Sequence, residues 1–227
     1  MKWLADLFSS SVGKKLVMAL TGMFMIVFLI IHLAGNLQLL NSDGGRAFNL
    51  YAEFMGTNPF IQAISKVNFI IIFIHIFYAL LITHKNKIAR GSPRYSKVST
   101  ATTSWPSRNM GILGFVLFFF VIIHLRHFWF VTHFGGIATI AYEGKQVPDL
   151  HAVVKFWFSK NWYVCFYAFC MLGFGSHLWH GFSSAFQSLG ISHYKYNGMI
   201  INFGKSFAII VPGLFALIPI ISYFKQE

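Results

Sequence analysis

Long apolar runs separated by short polar stretches govern this chain. Five of them, at about residues 16–40, 64–83, 110–131, 162–186 and 203–223, are each long enough to cross a membrane, because about 20 apolar residues in a helix span a hydrocarbon core of roughly 30 Å. The pattern predicts an all-α integral membrane protein with five transmembrane helices, forming one domain over residues 1–227. The first run follows Lys14 and Lys15. It exceeds the apolar core of a signal peptide and no small-residue cleavage pattern follows it, so it reads as a retained helix. Pro212 and Pro219 interrupt the fifth run. They predict a kink, since neighbouring helices can satisfy the backbone groups that proline frees.

Composition narrows the class. Of 227 residues, 56% are hydrophobic, 27 are Phe and only 11% are charged, with a mean hydropathy of +0.61. These values exclude a disordered chain and argue against an ordinary soluble domain. Five spans leave no room for a separate soluble domain. The net charge of +12 would suggest nucleic acid in a soluble protein; here it sorts across the bilayer instead. With the N-terminus inside, the inner segments carry a net +10 and the outer ones +2. Lys85, Lys87, Arg90, Arg94, Lys97 and Arg108 all fall between the second and third runs. Because topology follows Lys and Arg near span ends, the N-terminus is expected in the cytoplasm and the C-terminus outside. The same basic loop is a candidate for docking a partner or attracting anionic lipid. Cys165 and Cys170 share one apolar run and imply neither a disulfide framework nor a zinc site.

Histidines inside the runs carry the chemistry, because ionisable groups in a span are costly and usually face the bundle interior. His32 lies in the first run, His75 in the second, His124 and His127 in the third, and His177 and His180 in the fourth. His32 is 17 residues past Lys15 and His124 is 16 past Arg108, roughly 25 Å from the inner side in both cases. His75 precedes Lys85 by 10 residues and His177 precedes Gln187 by 10, or roughly 15 Å from that side. Depth therefore pairs His32 with His124 and His75 with His177, at two levels of a four-helix bundle. Bundles build cofactor sites from such inward side chains. Paired imidazoles are the axial ligands of an electron-transfer haem, whereas zinc or copper would want more donors at one depth. No C-x-x-C-H motif is present for covalent haem. His127 and His180 each follow a proposed ligand by three residues, hence share roughly its face, and could compete as ligands or bond a propionate or quinone. His84 lies on the opposite face from His75 and reads as interfacial. Gly22, Gly35, Gly114, Gly173, Gly175 and Gly181 would let either a macrocycle or a neighbouring helix approach closely.

At these residues the chain resembles the single-chain, five-helix dihaem cytochrome b anchors of bacterial succinate dehydrogenases and fumarate reductases. The resemblance extends over nearly the whole length. It rests on Phe28-Leu-Ile-Ile-His32-Leu-Ala-Gly-Asn36, on His75 with Tyr78 and Ala79, on His124 after its aromatic run, and on His177-Leu-Trp-His-Gly181-Phe-Ser-Ser-Ala-Phe186 leading to Gly190. Ala47-Phe48-Asn49 and Phe54-Met55 add to it. The resemblance implies two non-covalent haem b groups, a distal one held by His32 and His124 and a proximal one held by His75 and His177. It implies an iron–sulfur subunit docked on the cytoplasmic side, a flavoprotein subunit beyond it, and electron exchange with a membrane quinone, menaquinone in anchors of this kind. The dicarboxylate chemistry would then belong to the partner subunits, and the location would be the bacterial cytoplasmic membrane. With the quinone site placed toward the outer side, Glu53, Arg126, His127, Asp149 and His151 are its candidate residues. Two other readings compete: a cytochrome b anchor of a hydrogenase or formate dehydrogenase, and a haem-free transporter or proton channel whose histidines form a relay.

Overall fold

The computed structural model describes Asp6 and residues 8–90 and 104–225. Among these residues it is a bundle of long helices with a small polar cap at one end. Helix α1 (Ser11–Leu37) starts where the Ser10 side chain accepts from the Gly13 N–H at 2.9 Å, and it runs on through a 3-10 turn to Leu40. A turn with Gly44 and Gly45 at φ +67° and +87° reverses the chain, a conformation glycine adopts without steric cost. It leads into α2 (Arg46–Thr57). The Asp43 carboxylate accepts from the N–H groups of Ala47 and Gly45 at the start of this helix, and these bonds, the one from Ala47 foremost, hold its pKa below the ordinary carboxylate value. Their stabilisation is present above that ordinary value and is lost as the pH falls through the lowered one.

Helix α3 (Pro59–Arg90) opens with proline at its first position, and the Asn58 side chain accepts from the Phe60 and Ile61 N–H groups, a start that combines a fixed φ with a cap. Helix α4 (Trp105–His124) is capped by Ser104 and passes through a π-helical turn, Leu125–Trp129, into the short α5 (Phe130–Phe134). A hairpin follows, in which β1 (Thr139–Tyr142) pairs antiparallel with β2 (Lys145–Pro148), Ile140 opposite Val147. Asp149 then caps α6 (Leu150–Phe158) by accepting from Ala152 N–H. Helices α7 (Asn161–Ser188) and α8 (Tyr194–Phe224) complete the chain, the latter continuous through Pro212 and Pro219.

Four stretches are long and apolar enough to cross a membrane: Ser11–Leu40, Pro59–Ala89, Trp105–Phe134 and Tyr194–Phe224. The fourth apolar run of the sequence also forms a helix, α7, of 28 residues, but its composition falls short of theirs. The reason is its position. It packs against α1, α4 and α8, and buries Tyr163, Tyr167, Cys170, Leu178 and Phe182 against them. The face packed on those helices can carry tyrosine and histidine that a lipid-facing surface could not, while Phe169 and Leu172 on the other side are exposed.

The segments between the runs are more structured than the hydropathy pattern predicts, since α2, the hairpin and α6 together form the cap. The fifth helix also begins nine residues before its apolar run. Arg94 and Lys97 of the basic loop, and Lys2 and Glu227 at the termini, lie outside the described residues. At the cap end, Lys225 Nζ donates to the Leu40 carbonyl at 2.8 Å, so the ends of α1 and α8 meet there.

Candidate functional site

Two levels of histidine lie inside the bundle. At the level nearer the cap, the rings of His32 from α1 and His124 from α4 have centroids 5.8 Å apart and planes at 83°. A metal gripped by two imidazoles at about 2 Å from each donor nitrogen sets the ring centres roughly 6 Å apart. Phe28 and Phe215 flank His32, and Phe120 and Phe128 flank His124. These rings make the level apolar.

His124 is also held from behind. Its Nδ1 meets the Tyr167 hydroxyl at 3.0 Å, Tyr167 meets the Tyr163 hydroxyl at 3.3 Å, and Tyr163 meets Nδ1 of His127 at 3.0 Å. Both tyrosines lie on α7 one turn apart and both are buried. Hydroxyl hydrogens rotate to suit their partners. With His124 Nδ1–H donating to Tyr167, its Nε2 lone pair is free for a metal, the arrangement in which a second group fixes a ligand's tautomer.

The other level is set by contacts from different residues. Thr21 Oγ1 lies 2.9 Å from His75 Nδ1 and itself donates to the Val17 carbonyl at 2.7 Å. A threonine hydroxyl has one hydrogen, so with that hydrogen on Val17 the imidazole must be the donor. In that arrangement His75 carries its proton on Nδ1 and presents a bare Nε2. His177 lies within electrostatic reach of His75 and His180, and its Nδ1 is buried with no hydrogen-bond partner. Such an orphaned polar atom calls for a physical reason. Thr21 precedes His32 by 11 residues on α1 and His177 follows Tyr167 by 10 on α7, so the two levels stand roughly 15 Å apart along the bundle.

Compared with protein-family models, with curated proteins and with solved structures, the chain matches none. What the site can do is therefore read from its own donors. Among the described residues no group of three or more His, Cys, Asp or Glu side chains gathers to hold a metal ion.

The other sequence candidates divide by location. His127 stands apart from the His32/His124 pair, its ring stacked on Trp157 at 3.7 Å and 14°. Its neighbour Arg126 is exposed and lies over the Phe130 ring at 5.0 Å. Glu53, Asp149 and His151 meet at the junction of α2, the hairpin and α6. Glu53 pairs with Lys145 at 3.3 Å, Asp149 accepts from Asn49 Nδ2 at 2.9 Å, and the His151 N–H donates to Asn49 Oδ1 at 2.8 Å. Arg46 and Glu143 form a further ion pair there. These partners give all three residues a role in holding the cap together. Sequence reading missed Thr21, Tyr163, Tyr167 and Asn49. The tyrosines, four residues apart in an apolar run, were a visible signal, but their histidine partners lie 36 and 43 residues away.

The glycines fall into two kinds. A Cβ at Gly35 would lie 2.5 Å from the Tyr51 ring, and one at Gly175 would lie 2.9 Å from the Ala208 carbonyl; these two serve close packing. A Cβ at Gly114 or Gly181 would meet nothing within 4 Å, and one at Gly22 only His75 Cε1 at 3.7 Å. Gly175→Leu is accordingly expected to lower stability by about 1–3 kcal/mol through overpacking against α8, whereas Gly181→Leu should leave the thermal midpoint of the protein stripped of any cofactor unchanged or raised in detergent. Equal destabilisation by both would contradict this division.

Proposed function

We propose that the chain is a membrane electron-transfer subunit holding two bis-histidine haem b groups, His32 with His124 at one level and His75 with His177 at the other. In this reading α7 is a fifth crossing helix, packed on α1, α4 and α8. The observation that carries it is the approach of the His32 and His124 rings to 5.8 Å, and the Thr21 contact, which with the threonine hydrogen on Val17 leaves His75 Nε2 open, supports it. The open space at Gly114 and Gly181 supports it. The resemblance to succinate dehydrogenase and fumarate reductase anchors extends the reading to partners: a cytoplasmic iron–sulfur subunit, a flavoprotein subunit and menaquinone, with the N-terminus in the cytoplasm of a bacterium.

When bound, an iron porphyrin supplies one-electron chemistry, and two imidazoles per iron leave no position for oxygen or substrate. The chain's own residues do the rest. Thr21 aims the His75 ring by accepting from its Nδ1–H. Tyr167 aims His124 and is in turn held by Tyr163. Phe28, Phe120 and Phe215 keep water from the level nearer the cap. His127, between Trp157 and Tyr163, is the candidate at the quinone side best connected to the bundle interior.

One observation favours the proton-relay alternative, the hydrogen-bonded series from His127 through Tyr163 and Tyr167 to His124. It covers only the cap-side level, and a channel would need it to continue toward His177. A reduced-minus-oxidised spectrum of the isolated complex, with haem stoichiometry, decides between the two: two haems per chain are expected, and a colourless protein from freshly isolated membranes refutes the proposal. Flavin and iron–sulfur subunits should copurify; a nickel or molybdenum subunit in their place would assign the anchor to a hydrogenase or formate dehydrogenase.

Tyr167→Phe tests the aiming role. Removing the acceptor of His124 Nδ1–H is expected to weaken haem retention at the cap-side level by about 10–100-fold, the usual effect of losing such a partner. The other haem should stay at full occupancy. Titration of the purified apoprotein with haem reads both sites, and equal weakening of the two would remove Tyr167 from this role.

A further inference from the structure

Two clefts open between α7 and α8, one at the end of the bundle opposite the cap and one running from there toward the level of His32, and they share the side chain of Trp179. One is a groove of about 530 Å³ walled by Gly175, Ser176, Ala208, Pro212, Gly213 and Ala216. The other, about 280 Å³, is polar and lies where the start of α4 meets the end of α7. It is lined by the hydroxyls of Ser104, Ser107, Ser183 and Ser184, with His180 and Lys205 beside them and, among the described residues, no carboxylate. Lys205 Nζ sits 5.5 Å above the Trp179 ring, so the tryptophan joins the charged compartment to the apolar one.

A hydroxyl-rich, cationic mouth continuous with an apolar trough fits a molecule with an anionic head and a hydrocarbon tail. Length identifies its class. From Lys205 to Ala216 is 11 residues of α8, roughly 16 Å of rise, close to the half-thickness of a hydrocarbon core of roughly 30 Å. A single acyl chain running from headgroup to midplane has that length. A long isoprenoid tail would overrun the trough, and a second helix would leave the basic mouth without a partner.

We propose that this double cleft is a binding site for one anionic phospholipid, its phosphate held by Lys205 and the Ser183 and Ser184 hydroxyls and one acyl chain laid along Gly175, Pro212 and Gly213. The proposal needs only that α8 crosses the membrane, and it stands or falls separately from the haem reading. Gly213 is exposed and a Cβ there meets nothing within 4 Å, so Gly213→Leu fills the trough without a clash inside the protein.

The test purifies the intact chain, with whatever subunits accompany it, from nanodiscs containing equal parts phosphatidylglycerol and phosphatidylcholine, and measures the lipids that survive detergent washing. Phosphatidylglycerol is expected to be retained in preference to phosphatidylcholine. Lys205→Gln should reduce that preference roughly fivefold, the share of one interfacial cation. Gly213→Leu should lower retention of both lipids while the helical circular dichroism and any haem spectrum stay unchanged. Should Lys205→Gln fail to fold, the Gly213→Leu result alone decides. Retained lipid of the same composition as the disc overturns the proposal. So does a quinone or a porphyrin lost from either variant in place of the phospholipid, or a second copy of the chain crosslinked along the trough.

Discussion

Replacing His124 by alanine is expected to leave one haem per chain, the one held by His75 and His177, and His32→Ala should give the same product. His75→Ala and His177→Ala should each leave the complementary haem. The expectation follows from how the two levels are built. The His32 and His124 rings meet at 5.8 Å, and the other level lies roughly 15 Å away along the helices, with its own support from Thr21. Nothing that aims His124 also aims His75. Each variant would lose one of the two imidazoles that would hold the haem at its level, and with it that haem. Haem stoichiometry and the reduced spectrum of each variant give the answer, and helical content by circular dichroism shows whether the bundle survives. Loss of both haems with the helices intact would mean that the levels are one coupled site, and loss of the wrong haem would break the pairing.

Much of the bundle was legible because its physics is local. Twenty apolar residues in a row report a membrane-crossing helix wherever they occur, and a fixed rise per residue turns sequence distance from a charged boundary into depth. That arithmetic placed His32 level with His124, and the structure brings these two rings together. It could not say what stands behind a histidine. Tyr167 and Tyr163 reach His124 and His127 across 43 and 36 residues, and Thr21 reaches His75 across 54; such contacts depend on which faces of which helices meet. The glycines were ambiguous for the same reason, since Gly35 packs on Tyr51 while Gly114 faces open space. Helix α7 shows the opposite case. Its tyrosines, buried where it packs on the other helices, lower its hydropathy, and the same residues make it central to the site. The cap was illegible as structure because hydropathy reads polar segments only as gaps, although Gly44, Gly45 and Gly144 mark its turns.

Asn49→Leu is expected to loosen the cap by about 3 kcal/mol, at roughly 1 kcal/mol for each of the three hydrogen bonds lost. Asn49 is 0% exposed. Its amide donates to Asp149 Oδ1 and to the Tyr142 hydroxyl, and its carbonyl oxygen accepts from the His151 N–H, so one side chain ties α2 to the hairpin and to α6. Leucine has similar volume and none of these bonds. The effect should be local, since the long helices pack through other residues. Hydrogen exchange over residues 139–158 should rise strongly while exchange within α8 stays at its original rate. Asn49→Asp sharpens the test. It keeps an acceptor for His151 but sets a second carboxylate against Asp149, so it should also loosen the cap, and less so as the pH falls and the pair takes up a proton. The cap matters to the site through α6, which carries Trp157 onto the His127 ring at 3.7 Å and so steadies the tyrosine pair behind His124. In the Asn49→Leu protein the cap-side haem should therefore shift in potential or spectrum while the haem of His75 and His177 does not. Unchanged exchange in the hairpin, or equal shifts in both haems, would show that the cap does not position this level.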